Sequence, residues 1–108
     1  MLKSLDVLIG VIPNLKKTSI GSLKNIHSTI DVYILNDCPW SEKALKILDS
    51  LQVKYNSYII TNDEDFNKIS NITSISTFPQ VFINNQFIGG YAELSSLAAK
   101  GDLMKLIY

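Results

Sequence analysis

The one cysteine of this 108-residue chain, Cys38, lies in the segment Asp-Cys-Pro-Trp-Ser at residues 37–41. A thiol reacts as its thiolate, and the free N–H groups and partial positive charge at a helix N-terminus stabilise that anion. Pro39 suits the first turn of a helix, where its missing N–H has no partner to lose. Because polar residues precede Cys38 and a helix signal follows it, we expect a partly exposed, reactive thiol rather than a buried, inert one.

Two later segments have the composition to hold a ligand beside this thiol. Residues 77–80 read Thr-Phe-Pro-Gln, and Pro79 suits the start of a strand, where a missing N–H costs little. Gly89 and Gly90 precede a predicted helix. Glycines let a ligand come close to the backbone, and the free N–H groups at the helix N-terminus can bind a carboxylate. Taken alone, the Gly-Gly pair indicates only a turn. Together with Cys38, the two segments predict the arrangement that a thiol–disulfide catalyst needs.

Hydrophobic periodicity predicts the elements that position these segments. Residues 30–35 are almost continuously apolar and β-branched, which predicts a strand buried on both faces. The helix after Cys38 repeats apolar residues at helical spacing, and a strand over residues 53–60 completes a parallel, right-handed βαβ unit. The other predicted elements are a short helix around 18–27, a helix that begins near Asn62, a hairpin of 79–83 and 86–88 around Asn84-Asn85, and a last helix after Gly90 that is interrupted at Gly101.

Charge and cysteine content narrow the classes of function. Ten lysines balance ten acidic residues, and the chain has no arginine, which argues against a nucleic-acid binder with a basic face. One cysteine excludes an intrachain disulfide and a structural zinc site made of this chain's thiols. We therefore expect a reducing, cytoplasmic compartment. No apolar run reaches the length of a membrane span, so we expect no membrane partner.

The first 29 residues differ in composition from the rest, with four lysines against one acid. We predict an N-terminal extension over residues 1–17, which forms a helix or an organellar targeting segment, followed by one domain over residues 18–108. His27 lies near this boundary without a visible partner, and we interpret it as structural.

In combination, the motifs resemble those of glutaredoxins over about four-fifths of the chain. The matching patterns are Cys-Pro-aromatic, Thr-x-Pro-Gln-x-Phe-Ile and Ile-Gly-Gly-Tyr. The resemblance implies an α/β, thioredoxin-like fold: a four-stranded mixed sheet, in the order βαβ then αββα, flanked by helices, with the extra N-terminal segment. It also implies a glutathione-dependent thiol–disulfide oxidoreductase. Because Ser41 stands where a second cysteine would be, the mechanism is predicted to be monothiol: Cys38 takes glutathione from a glutathionylated protein, and a second glutathione releases it.

The resemblance also implies the residues of the site. Cys38 is the expected nucleophile, and the Phe78–Pro79 peptide bond is expected to be cis, so that Phe78 pairs its backbone with the cysteine of glutathione. Glu93 is expected to meet the ammonium group of the γ-glutamyl end. No metal site and a monomer are expected. The full predicted set of glutathione-binding residues is Trp40, Ser41, Thr77, Phe78, Pro79, Gly90, Tyr91, Ala92 and Glu93.

Some positions depart from the glutaredoxin pattern. Leu35 stands where these proteins usually carry a lysine that contacts the glycine carboxylate, and Phe66 aligns with a usual Gln or Arg. Lost polar contacts are expected to weaken glutathione binding, and whether they abolish it is open.

Two other functions also stay open. One is an iron–sulfur carrier, in which two Cys38 thiolates and two glutathiones hold a cluster, although Pro39 replaces the glycine typical of that class. The other is a non-catalytic adaptor domain.

Overall fold

The computed structural model describes residues 17–20 and 28–107 of the chain. In this part of the chain the strands form one mixed sheet, with the order β1-β3-β2-β4-β5. The β2–β3 pair is parallel, and the other neighbouring pairs are antiparallel. The strands are β1 (Lys17–Ile20), β2 (Ile30–Leu35), β3 (Asn56–Ile60), β4 (Gln80–Ile83) and β5 (Gln86–Gly89). The helices are α1 (Pro39–Ser50), α2 (Asp63–Thr73), α3 (Tyr91–Ala99) and α4 (Asp102–Ile107).

Strand β2 lies in the centre of the sheet and is buried on both faces, as its apolar sequence predicts. On one face, Val32 belongs to a core cluster with Leu48 of α1 and Leu94 of α3. On the other face, Tyr33 belongs to a second cluster with Ile69 of α2. Helices α1, α3 and α4 therefore cover one face of the sheet and α2 covers the other, so the carboxyl end of β2 opens between two helical layers.

The local chemistry of turns and caps explains where the elements begin and end. Asn84 and Asn85 have φ angles of 53° and 66°, the positive values that a two-residue hairpin turn between β4 and β5 requires. The Asn62 side chain accepts a hydrogen bond of 2.8 Å from the Asp65 N–H and so caps α2. The predicted break at Gly101 is also present, since α3 and α4 are separate helices. These local predictions are confirmed.

A buried polar cluster joins β2 and β3 at the end of the sheet remote from Cys38. The Asp31 carboxylate accepts hydrogen bonds from Asn56 at 3.1 Å and from the Tyr58 hydroxyl at 3.2 Å. Burial, together with the charge and the hydrogen bond of Asp31, raises the pKa of Tyr58 to about 12. Because both hydrogen bonds join β2 to β3, they link the two strands of the parallel pair.

The predicted helix around residues 18–27 is wrong at its start. Residues 17–20 form β1, which pairs antiparallel with β3. Without β1, β3 would pair only with β2 and would leave backbone groups unpaired at its other edge. Thr18 and Ile20 are β-branched, which suits a strand that pairs with this edge. Residues 21–27, with His27, lie outside the described residues, as does the predicted extension except for Lys17. The four-stranded mixed sheet and its flanking helices are confirmed, and β1 adds a fifth strand to it.

In the described part of the chain, no helix is long and apolar enough to cross a membrane. In the same ranges, no group of three or more His, Cys, Asp or Glu side chains is placed to hold a metal ion.

Candidate functional site

Cys38 lies directly before α1, at the carboxyl end of β2, as the sequence predicts. It is the N-cap residue of α1, with φ −106° and ψ 110°, and Pro39 follows at the first helical position. The carbonyl of Cys38 accepts the first helical hydrogen bond from the Glu42 N–H at 3.1 Å. The thiol is partly exposed, and no side chain caps the helix there. The N-terminal N–H groups of α1 thus remain available to the sulfur.

The Thr77–Pro79 segment faces Cys38 across the site. The Cys38 sulfur lies 3.9 Å from the carbonyl oxygen of Phe78, and the Phe78–Pro79 peptide bond is cis, as expected. The buried side chain of Gln80 holds the preceding loop, because its amide N–H₂ group donates to the carbonyls of Ile75 at 2.8 Å and Thr77 at 3.3 Å. Sequence reasoning assigned no role to Gln80; a polar residue at the start of a buried strand was the available signal.

A groove of about 480 Å³ runs beside the thiol. Eight of the nine predicted glutathione-binding residues line it. The lining residues are Trp40, Ile75, Thr77, Phe78, Pro79, Gly90, Tyr91, Ala92 and Glu93. Ile75 was not predicted, although an apolar residue between Ser74 and Ser76 in a loop was a signal for it. Three segments that are far apart in the chain therefore meet in one groove.

Ser41 is the predicted residue that the structure does not bring into the groove. Its side chain is 1% exposed, and its hydroxyl accepts a hydrogen bond of 3.4 Å from the Leu35 N–H. Since Ser41 lies on the first turn of α1, this contact joins that turn to the end of β2. The described contact is structural, and a role of Ser41 in glutathione binding stays a prediction.

One end of the groove is formed by the start of α3. The Gly90 N–H donates to the Glu93 carboxylate at 2.7 Å, which caps α3. Gly89 has a φ of 140°, and a Cβ at this position would lie 2.5 Å from the Glu93 Cγ. Glycine is thus required at residue 89 both by its backbone conformation and by the packing of the Glu93 side chain over it.

An aromatic pair forms the wall of the groove nearest to the thiol. Trp40 is 53% exposed, and the centroid of its ring lies 5.2 Å from that of Tyr91. The Lys43 ammonium lies 4.4 Å from the Trp40 centroid, within the range of a cation–π contact. A large exposed aromatic beside the Cys38 thiol offers a flat surface on which a ligand can lie.

Phe78, which lines the groove, belongs to a hydrophobic cluster that also includes Leu35 and Phe66, two of the positions that depart from the glutaredoxin pattern. The ring centroids of Phe66 and Phe78 are 5.4 Å apart. Leu35 and Ile75 pack against the same cluster, which also includes Phe78. The end of β2, the start of α2 and the loop before β4 thus share one hydrophobic surface.

Comparisons with known proteins agree with this geometry. Residues 30–88 match the family described as Glutaredoxin. Glutaredoxin 1 of Rickettsia bellii is 38% identical over 90 residues, which cover 78% of this chain and 91% of that protein. The solved structure of glutaredoxin 1 from Francisella tularensis has a TM-score of 0.61 at 28% identity and covers 68% of this chain and 94% of its own. A buckwheat glutaredoxin–glutathione complex shares the fold, with a TM-score of 0.68 at 20% identity, over 74% of this chain and 76% of its own. The chain belongs to the glutaredoxin family.

Proposed function

We propose that this chain is a glutathione-dependent thiol–disulfide oxidoreductase that reduces protein–glutathione mixed disulfides through Cys38 by a monothiol mechanism. The observation that carries the proposal is the chain's one thiol, which lies at the N-terminus of α1 beside a groove large enough for a peptide. The buckwheat relative that binds glutathione has the same fold. The absence of a second cysteine also fits a reducing, cytoplasmic compartment.

The proposed reaction is two thiol–disulfide exchanges. The Cys38 thiolate attacks the glutathione sulfur of the mixed disulfide; that S–S bond breaks, a Cys38–glutathione disulfide forms, and the protein thiolate leaves and takes up a proton. A second glutathione thiolate then attacks the glutathione sulfur of this disulfide. Oxidised glutathione leaves, and the Cys38 thiolate is restored. The N–H groups of α1 stabilise the thiolate before the first step and after the second.

We expect each part of the tripeptide to have its own contacts in the groove. The γ-glutamyl carboxylate is expected to bind the N-terminal N–H groups of α3, and its ammonium to meet the Glu93 carboxylate. The backbone of Phe78 is expected to pair with the cysteinyl residue as a neighbouring strand would. Trp40 and Tyr91, which line the groove, are expected to cover the ligand.

The test is intact mass spectrometry of the protein after incubation with oxidised glutathione, followed by a chase with reduced glutathione. We expect one glutathionyl adduct, which the chase removes quickly. Cys38→Ser is the matched control and is expected to form no adduct. An adduct that forms no faster than on an unstructured cysteine peptide would contradict the proposal and favour the adaptor function.

A further inference from the structure

The groove has two chemically different ends. At the α3 end, the polar groups are the Gly90 N–H and the Glu93 carboxylate. Away from α3, the groove is lined by Ile75, Thr77 and Phe78, and the Phe66 ring packs against Phe78 with a centroid distance of 5.4 Å. Leu35, at the end of β2, belongs to the same hydrophobic surface. A ligand that extends along the groove therefore passes from a polar site to an apolar one.

Among the described residues, no lysine lines the groove. Lys43 contacts the groove wall, where its ammonium lies over the Trp40 ring. Lys68 of α2 forms an ion pair with Glu64 at 3.0 Å. The described lining therefore offers no cation to a bound carboxylate.

The apolar lining and its lack of a cation determine which chemical group binds more tightly at the third residue of a γ-glutamyl peptide. With the γ-glutamyl end at α3 and the cysteinyl sulfur at Cys38, the third residue reaches the surface of Phe78 and Ile75. A carboxylate at this surface loses hydration without gaining a cation from the groove lining. An uncharged, apolar group gains by burial on the same surface.

We propose that the site takes, as its substrate class, γ-glutamylcysteinyl disulfides whose third residue is uncharged and apolar, in preference to glutathione with its terminal glycine carboxylate. This inference rests on the proposed function. The chemical step is unchanged: the Cys38 thiolate attacks one sulfur of the disulfide, the peptide becomes bound to Cys38, and the second peptide leaves as a thiolate and is protonated.

The test compares three synthetic symmetrical disulfides that share the γ-glutamylcysteinyl part. Their third residues are glycine, glycine amide and leucine amide, and intact mass spectrometry gives the rate of adduct formation on Cys38. We expect the glycine amide to react at least as fast as glycine, and the leucine amide about fivefold to tenfold faster. Fastest reaction of the glycine form would overturn this inference and leave the proposed function intact, whereas no adduct with any of the three would overturn both.

A charge substitution tests whether this wall sets the preference. Leu35→Lys places a cation at the apolar end and is expected to reverse the order, so that the glycine form reacts fastest. Ala99→Lys adds the same charge at an exposed position at the far end of α3 and is expected to keep the original order. Phe66→Gln, which removes apolar surface without adding charge, is expected to abolish the advantage of the leucine amide. An unchanged order in folded Leu35→Lys and Phe66→Gln would overturn the inference.

Discussion

At the scale of single residues, Cys38 and Ser41 lie close together at the start of α1 but have different environments. Cys38 is partly exposed at the N-cap, whereas Ser41, three residues later, is buried and bonded to the Leu35 N–H. Side chains three residues apart are neighbours on a helix. A thiol at residue 41 would therefore lie behind the reactive one, out of direct contact with solvent.

Ser41→Cys is expected to replace the proposed monothiol mechanism with a dithiol one. After the glutathionyl adduct forms on Cys38, the new thiol attacks the Cys38 sulfur and displaces glutathione, because Cβ separations of about 5–6 Å at this spacing need only a small shift to reach disulfide geometry. Intact mass spectrometry should then show an internal disulfide in place of the adduct. Ser41→Ala is the control and should keep the adduct. A lasting adduct on the Ser41→Cys protein would show that the two positions cannot be bridged.

At the scale of elements, the junction of β5 and α3 places the polar end of the groove. The Glu93 side chain folds back over Gly89 to reach the Gly90 N–H. This arrangement satisfies one of the free N–H groups at the start of α3 and holds a carboxylate at the groove. It depends on the absence of a side chain at residue 89.

Gly89→Ala is expected to lower the free energy of unfolding by at least about 2 kcal/mol, because strain at its φ of 140° adds to a clash with Glu93. Gly101→Ala is the matched control. Its φ is 76° and no atom lies within 4 Å of the added Cβ, so only backbone strain of about 1 kcal/mol is expected. Urea unfolding followed by circular dichroism measures both losses. Equal losses would mean that the contact with Glu93 adds nothing.

At the scale of the whole molecule, the edge strand β1 and the groove lie on opposite sides of the central strand β2. Strand β1 lies at one edge of the sheet, beside β3, while β4 and β5 lie on the other side of β2, and the segments before β4 and after β5 line the groove. The antiparallel β1–β3 pairing covers an edge of β3 that would otherwise be unpaired. We therefore expect β1 to contribute to stability and to leave the chemistry at Cys38 unaffected.

Two truncated chains test this separation and the predicted domain boundary. A chain that starts at residue 17 keeps β1, and one that starts at residue 21 lacks it. The shorter chain is expected to be less stable by about 2 kcal/mol, from the loss of a few backbone hydrogen bonds at about 1 kcal/mol each. Both chains should form the glutathionyl adduct at the same rate. Equal stability, or a slower reaction of the shorter chain, would contradict the expected roles.

The sequence by itself determined the features that depend on neighbouring residues. The helix start at Pro39, the hairpin turn at Asn84-Asn85 and the break at Gly101 follow from local backbone preferences, which act before any long-range contact forms. The resemblance of the three motifs to those of glutaredoxins also predicted the fold and eight of the nine groove-lining residues.

The tertiary structure alone decided what depends on residues that are distant in the chain. Residues 17–20 became a strand because β3 offers an unpaired edge, and no local pattern records that edge. Ser41 lies outside the groove, where its hydroxyl accepts a hydrogen bond from the Leu35 N–H at the end of β2. Leu35, Phe66 and Phe78 came together in one hydrophobic cluster, of which Phe78 lines the groove. Burial and sheet pairing set these outcomes, since the energy of a contact is gained only after the fold brings its two partners together.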